Sequence, residues 1–253
     1  MAPTHAEMDI TDSGSVDRLF EKERLDAVVH CAAYTAVDRA EDELDLCRRV
    51  NVDGTRNIAE NCLRAGIPMM YISTDYVFDG TGYRPWRPQD PTNPINVYGE
   101  SKRDGETEVL RLEKYFILRI SWVFGANGNN FIGTMLRLSE TMDEVNVVDD
   151  QYGSPTYTVD LSKLIADMIV TDRYGIYHAH NEGVCTWADI AEETFRLSGS
   201  DTKVNRIASD QYPMKAKRPN NSRMSTDSLT ENGFNLLPDW KDALRRFIRC
   251  SFS

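Results

Sequence analysis

Apolar runs and amphipathic segments alternate along the first 150 residues of the chain. The apolar runs are rich in Val, Ile and aromatic residues, which is typical of buried β-strands, and they cover residues 26–33, 69–78, 116–124 and 145–148. Helix-like patterns lie between these runs, near residues 13–24, 44–65 and 97–113. Alternation of strands and helices predicts an α/β fold, a doubly wound parallel sheet with helices on both faces.

Helical patterns dominate the rest of the chain, at residues 157–171, 186–198 and 238–250. Thr186 precedes the second of these segments and is a good candidate for its N-cap. Ile176–His180 and Val204–Ile207 look like short strands of a second, smaller lobe.

Residues 79–94 form a segment that can be neither helix nor central strand, because it contains four prolines and two glycines. It joins the run that ends near Thr74 to the helix that contains Tyr98. This loop should run over the edge of the sheet, where it either covers a substrate or is a passive connection.

Composition narrows the classes of function. The net charge is −11 and no block of Lys or Arg occurs, which argues against nucleic acid or an anionic membrane as the main partner. Five cysteines without a C-x-x-C pair indicate reduced thiols rather than a disulfide framework. No run of about 18 apolar residues and no signal-peptide pattern is present, so we expect a soluble cytoplasmic protein.

Tyr98, Lys102 and Thr74 form the strongest candidate for chemistry. Tyr98 and Lys102 are one helical turn apart and therefore on the same helix face, whereas Thr74 ends an apolar run. A nearby ammonium group should lower the pKa of the phenol, so that Tyr98 can give a proton to a carbonyl oxygen while Thr74 holds that oxygen. These residues predict carbonyl reduction, with Thr74, Tyr98 and Lys102 as catalytic residues.

Six segments in order along the chain resemble the dTDP-4-dehydrorhamnose reductase family of extended short-chain dehydrogenase/reductases. They are Ser73–Gly80 (STDYVFDG), Asn96–Lys102 (NVYGESK), Arg119–Phe124 (RISWVF), Gly128–Phe131 (GNNF), Asp150–Pro155 (DQYGSP) and Arg218–Arg223 (RPNNSR). The similarity extends from about Met8 to near Trp240.

The resemblance implies a Rossmann-like fold with a small C-terminal α/β substrate lobe. The nucleotide-binding domain would comprise residues 1–125 and about 157–175, and the substrate lobe residues 126–156 and about 176–253. The Gly-x-Gly-x-x-Gly turn that opens such folds does not occur, so the first strand and helix of the family are expected to be missing here. Gly125–Gly128 follows a strand but lacks the third glycine, and we do not interpret it as a phosphate-binding loop.

The resemblance also implies an activity. It is the NAD(P)H-dependent reduction of the C4 keto group of dTDP-4-dehydro-L-rhamnose to dTDP-L-rhamnose, for cell-surface polysaccharide. The cofactor would be NADPH or NADH, and the partner a dTDP-linked 4-keto-6-deoxy sugar. The oligomeric state is left open, with a homodimer as one arrangement.

Further site residues are assigned by this resemblance. The cofactor would contact Asp9, Ile10, Ala32, Ala33, Tyr34, Tyr98 and Lys102. The substrate would contact Thr35, Val37, Thr74, Asp75, Tyr76, Trp122 and Arg218, with Trp122 stacking near the sugar and Arg218 binding the diphosphate. His178 and His180 share one face of a strand-like segment but have no third ligand at a suitable spacing, so no metal is expected.

Two other classes of function stay open at this stage. One is a non-catalytic relative, similar to the regulatory subunit of methionine adenosyltransferase, which keeps the fold and binds a partner protein; the other is an inactive truncated reductase. The intact Thr74, Tyr98 and Lys102 favour the enzyme. A sugar-nucleotide dehydratase or epimerase is disfavoured, because Tyr76 stands where the dehydratases place a glutamate.

Overall fold

A computed structural model of the protein describes residues 1–251, so Phe252 and Ser253 of the predicted substrate lobe lie outside the described residues. The α-helices are α1 Ser13–Lys22, α2 Val37–Ala40, α3 Leu44–Arg48, α4 Gly54–Ala65, α5 Val97–Val109, α6 Phe131–Ser139, α7 Thr158–Ile169, α8 Trp187–Ser198, α9 Asp227–Glu231 and α10 Trp240–Ser251. A π-helical segment, Arg49–Asp53, joins α3 to α4, and 3-10 turns lie at Asp75–Val77 and Ser209–Gln211. No helix within residues 1–251 is long and apolar enough to cross a bilayer.

The strands are β1 Val28–His30, β2 Met69–Thr74, β3 Tyr115–Ile120, β4 Val123–Phe124, β5 Glu144–Val148, β6 Tyr152–Gly153, β7 Thr156–Tyr157, β8 Gly175–His178, β9 Asn181–Glu182, β10 Cys185–Thr186, β11 Lys203–Ile207 and β12 Leu237–Asp239. The main sheet has the order β1-β2-β3-β8, and every pair in it is parallel. The carboxyl ends of its four strands therefore meet at one edge.

Alternating side chains of β2 and β3 build a core on each face of the main sheet. Met69, Tyr71 and Ile117 pack on one face with α1, α4 and α5. Met70, Phe116 and Leu118 pack on the other face with α7 and α9. Burial on both faces explains why these strands are continuous apolar runs in the sequence, and it confirms the predicted doubly wound α/β fold.

The smaller lobe is built around the parallel pair β5 and β11. Val145 and Val147 alternate inward from β5 and pack against Met135 of α6 and Phe195 of α8. Thr186 caps α8 as predicted, since its hydroxyl accepts from the Asp189 amide at 3.2 Å and the Asp189 carboxylate accepts from the Thr186 amide at 2.9 Å.

One strand is not where the sequence pattern puts it. The pattern assigns Ile176–His180 to the second lobe, and that prediction is wrong, because β8 pairs with β3 in the main sheet. The His178 side chain is fully buried there and packs edge-on against Phe78. Alternation along a strand shows which residues share a face but not which sheet the strand joins.

Candidate active site

A cleft of about 600 Å³ opens at the carboxyl ends of β1, β2 and β3, between the main sheet and the smaller lobe. This is the edge at which open α/β sheets bind ligands. Its predicted lining residues are Ala33, Thr35, Val37, Thr74, Asp75, Tyr76, Tyr98, Lys102 and Trp122. The structure thus brings all three predicted catalytic residues into one cavity.

The start of α5 fixes the position of Tyr98. Asn96 is the N-cap, and its side-chain oxygen accepts from the Gly99 amide at 2.7 Å, so the helix begins immediately before Tyr98. Gly99 has no room for a Cβ, because the Tyr76 carbonyl lies directly against it. This close approach presses the first turn of α5 onto the turn that follows Thr74.

Thr74 is the last residue of β2 and is buried. Its hydroxyl accepts from the Tyr76 amide at 3.2 Å and donates to Asp75 Oδ1 at 3.1 Å. The Thr74 hydroxyl also opposes the effect of burial on the pKa of the Tyr98 phenol. The hydroxyls of Thr74 and Tyr98 are therefore neighbours, as a site for one carbonyl oxygen requires.

The predicted effect of Lys102 on Tyr98 is wrong for this structure. Burial raises the pKa of Tyr98 well above its usual value, and the nearby Thr74 hydroxyl only partly offsets this. The spacing of four residues places both side chains on one helix face, but the ammonium of Lys102 is engaged elsewhere. Tyr98 therefore keeps its proton at neutral pH.

Lys102 is buried, and its ammonium donates to the Ile72 carbonyl at 2.7 Å. Burial lowers the pKa of Lys102 to about 7, although the nearby Glu106 carboxylate acts in the opposite direction. Lys102 is thus close to half charged at neutral pH, which is unusual for a lysine.

Asp75 and Tyr76 line the cleft beside Thr74. Burial raises the pKa of Asp75 to about 6, and the nearby hydroxyls of Ser222 and Thr74 limit the rise. Asp75 Oδ2 has no hydrogen-bond partner of good geometry among the described residues. A buried carboxyl oxygen without a partner is suited to accept from a ligand hydroxyl.

Trp122 has φ of 48°, the left-handed region that a bulky residue rarely adopts. Its ring stacks on Trp187 with centroids 4.1 Å apart. Gly153 lies under the same ring, and a Cβ at that position would come within 2.8 Å of it. Neighbours thus hold the strained Trp122 in one orientation at the wall of the cleft.

The structure does not bring five of the predicted contact residues to this cleft. Ala32 and Tyr34 flank Ala33 but do not line the cavity, and the Tyr34 hydroxyl donates to Glu43 at 2.6 Å. The Asp9 carboxylate accepts from the Thr11 amide and hydroxyl, and the Ile10 side chain packs in the core against Gly54.

Arg218 also lies outside the lining. Its guanidinium makes two hydrogen bonds to the Asp38 carboxylate, at 2.9 Å and 2.7 Å, and a third to the Ala216 carbonyl. Hydrogen bonding from the Arg218 guanidinium lowers the pKa of the Asp38 carboxyl. Binding of a diphosphate by Arg218 would have to compete with this ion pair.

The proline-rich loop, residues 79–94, does not line the cleft either. Trp86 Nε1 donates to the Asn221 carbonyl at 3.0 Å, and Arg119 donates to the Pro88 carbonyl at 3.1 Å. The loop is therefore fixed against the segment around Asn221, and of the two interpretations open from the sequence the structure favours the passive connection.

Sequence reasoning missed several cleft residues, namely Cys31, Asn127, Asn129, Asn130, Phe131, Thr158 and Trp187. Two signals were available. Asn130 is the N-cap of α6, and Trp187 follows the Thr186 cap directly, so both stand at helix starts that face the sheet edge. Helix starts are the places where an α/β fold presents residues to ligands.

Comparison with known proteins gives a consistent result. The family model described as "RmlD substrate binding domain" matches residues 1–251. A dTDP-4-dehydrorhamnose reductase of Streptomyces griseus is 42% identical over 245 residues, which covers 94% of this chain and 81% of that protein. The spore coat polysaccharide biosynthesis protein SpsK of Bacillus subtilis (strain 168) is 40% identical over 251 residues, covering 98% of this chain and 88% of that protein.

A solved structure shows the same likeness in three dimensions. The crystal structure of a dTDP-4-dehydrorhamnose reductase from Bacillus anthracis str. Ames, in complex with NADP, superposes with a TM-score of 0.95 at 40% identity. The match covers 98% of this chain and 88% of that one.

Proposed function

The chain belongs to the RmlD substrate binding domain family, and we propose that it catalyses the reaction of the dTDP-4-dehydrorhamnose reductases that it matches. The reaction is reduction of the C4 keto group of dTDP-4-dehydro-L-rhamnose to dTDP-L-rhamnose, for cell-surface polysaccharide. The observation that carries this proposal is the convergence of Thr74, Tyr98 and Lys102 in one cleft at the carboxyl edge of the sheet.

The cofactor in this proposal is NADPH or NADH, and the cleft residues fit its nicotinamide ribose. The Lys102 ammonium has three N–H groups and uses one on the Ile72 carbonyl, so donors remain for ribose hydroxyls. Ala33 has a small side chain that lets a ligand approach the backbone. When bound, the reduced nicotinamide supplies the hydride. Asp9, Ile10, Ala32 and Tyr34 stay predicted cofactor contacts.

Tyr98 is the proton donor in this scheme. As hydride reaches C4 the carbonyl oxygen becomes an alkoxide, a stronger base than a phenolate, so a phenol that holds its proton at neutral pH is a competent donor. The Thr74 hydroxyl holds the same oxygen in line. Asp75, Tyr76, Thr35, Val37 and Trp122 would bind the sugar and Arg218 the diphosphate, once Arg218 exchanges Asp38 for phosphate oxygens.

The test is turnover of dTDP-4-dehydro-L-rhamnose with NADPH, followed by loss of nicotinamide absorbance. Tyr98→Phe should lower kcat on the order of 10²–10⁴-fold, because only the transferred proton is lost. The matched control is Tyr83→Phe, which removes the hydroxyl of a tyrosine that is 88% exposed and should leave kcat unchanged. A Tyr98→Phe variant with wild-type turnover would contradict the proposal.

Two alternatives give different outcomes in the same assay. A non-catalytic binder, the other class that the sequence leaves open, would show no turnover in the wild type, and the reductase names of the matched relatives favour the enzyme over it. A dehydratase would release water from a sugar without net consumption of NADPH.

The proposal also concerns the cellular compartment and the oligomeric state of the protein. The five cysteines are all free, with Cys31 and Cys250 exposed, which fits the reducing environment of the cytoplasm. The oligomeric state stays open, with a homodimer as one arrangement, and sedimentation equilibrium tests it directly.

A further inference from the structure

The amine of Lys102 is buried, and no carboxylate of the described residues is bound to it. Lys102 is 2% exposed, and of the described residues only Ile72, through its carbonyl, accepts a hydrogen bond from the Lys102 ammonium. Glu106, one turn further along α5, is held by Arg119 at 2.7 Å and 2.8 Å and by Ser73 at 2.6 Å. Burial disfavours the charged form of an isolated amine, so a group that contacts the ammonium favourably raises the fraction that is charged.

The face of the Tyr71 ring contacts the Lys102 ammonium at the position where a carboxylate counter-ion would otherwise lie. Lys102 Nζ lies 3.9 Å from the centroid of this ring, within the range of a strong cation–π contact. Tyr71 is fully buried in β2, between β1 and β3, and its ring also stacks on His30 at 5.6 Å. The strand and the stacked His30 therefore fix the ring against movement.

We propose that Tyr71 is a positioning residue for the reduction, whose ring face favours the charged form of the Lys102 amine and holds it at the floor of the cleft. This inference rests on the proposed function, in which Lys102 binds the nicotinamide ribose beside Tyr98. Tyr71 itself does not line the cleft, so it acts only through Lys102. The hydroxyl of Tyr71 has no hydrogen-bond partner of good geometry within the described chain, so the ring alone carries the role.

Among the described residues, none of the other titratable groups around Lys102 supplies a free negative charge to stabilise its ammonium. On β1, burial holds the pKa of His30 at about 3, so His30 is neutral. Beyond β1 and on α3, burial raises the pKa of Cys31 and of Cys47, so both are thiols at neutral pH. On α5, Glu106 favours the charged lysine, but its carboxylate is already shared with Arg119.

The experiment measures the titration of Lys102 directly in the cofactor-free protein. Lysine labelled with carbon-13 at Cε reports the charge of each ammonium by NMR, and the Lys102→Met variant assigns the signal. In the wild type Lys102 should titrate near pH 7. Tyr71→Phe keeps the ring and should leave this midpoint unchanged, whereas Tyr71→Leu should lower it by about one unit.

A second series keeps the shape of the core in case Tyr71→Leu does not fold. Phenylalanines with one, two and three fluorine atoms at position 71 have nearly the same volume but a progressively weaker ring quadrupole. The midpoint of Lys102 should fall stepwise along this series. An unchanged midpoint in the folded trifluoro variant would overturn the proposal.

The pH profile of kcat/KM links the titration to turnover. Its basic limb reports the free enzyme, so it should move down with Lys102 in the fluorinated series and stay in place for Tyr71→Phe. A shift of the NMR midpoint in a protein without turnover would refute the proposed function while supporting the Tyr71–Lys102 contact. Turnover together with an unchanged Lys102 titration midpoint across the fluorinated series would refute the Tyr71–Lys102 contact but not the proposed function.

Discussion

Glu106 and Lys102 are both buried on α5, one helical turn apart, but only Glu106 is paired with an opposite charge. Glu106 accepts from Arg119 twice and from Ser73 once, and both members of the ion pair are less than 5% exposed. Lys102 has a carbonyl and an aromatic ring as partners. The difference separates a buried charge that holds the fold from one that is kept available for a ligand.

The paired charge ties four parts of the molecule together. Glu106 is on α5, Ser73 on β2 and Arg119 on β3, and Arg119 also donates to the Pro88 carbonyl in the proline-rich loop. In the cleft, by contrast, burial shifts the pKa of Lys102 to about 7 and that of Asp75 to about 6, each toward its neutral form. Groups that titrate near neutral pH are typical of active sites.

The largest expected loss of stability comes from breaking the buried ion pair of Glu106 and Arg119. Arg119→Met would leave the Glu106 carboxylate buried without its partner, and the free energy of unfolding should fall by about 3–5 kcal/mol. Chemical denaturation measures this. The double variant Arg119→Met/Glu106→Leu removes both charges and should recover most of the loss. A single variant as stable as the wild type would remove the basis of the comparison.

On the cleft side, Lys102→Met should stabilise the protein while abolishing turnover. The folded protein lowers the pKa of Lys102 from 10.5 to about 7, so the charged lysine is disfavoured by folding. This destabilisation is complete below the folded pKa and disappears as pH rises from 7 toward 10.5. At about pH 6 the free energy of unfolding of the variant should therefore exceed that of the wild type by about 5 kcal/mol, with little difference near pH 10.

Asp75→Asn should show the same behaviour in the opposite pH direction. The folded pKa of Asp75, about 6, is above its unfolded value of 3.8, so the protonated acid is favoured by folding. That stabilisation is present below pH 3.8 and is lost as pH rises through 6. The free energy of unfolding of the variant should exceed that of the wild type by about 3 kcal/mol above pH 6.5 and match it near pH 4, as thermal unfolding across pH would show.

The smallest expected effect comes from an exposed ion pair of similar geometry. Arg196 and Glu193 lie 2.6 Å apart on α8, but the Arg196 side chain is 62% exposed. Water and salt screen such a pair, so Arg196→Gln should leave the unfolding midpoint unchanged. A clear loss here would mean that contact distance, and not burial, determines how strongly these charges stabilise the fold.

The sequence predicts the main sheet well because its strands are buried on both faces. Continuous apolar runs and the helix-like pattern near residues 97–113 were sufficient to identify β2, β3 and α5. The turn at Arg49–Asp53 was not predicted, since one π-helical turn leaves the amphipathic pattern of residues 44–65 almost unchanged.

The sequence predicted part of the cleft lining but not its electrostatics. Spacing identified Tyr98 and Lys102, yet the direction of the pKa shift of Tyr98 depends on burial and on where the Lys102 ammonium points, and neither is encoded in a spacing of four residues. Residues such as Trp187 come from the other lobe, and only the three-dimensional packing brings them to the cleft. The assignment of individual residues to cofactor or sugar stays a prediction.

The stacked indoles of Trp122 and Trp187 make the cleft wall a natural chromophore pair. At a centroid distance of 4.1 Å and an angle of 24° their electronic transitions couple, which produces a circular dichroism couplet without any added label. Trp86 and Trp240 are outside the cleft lining and contribute background only. A sugar nucleotide that displaces either indole would change the couplet, so occupancy of this wall can be followed optically in the unmodified protein.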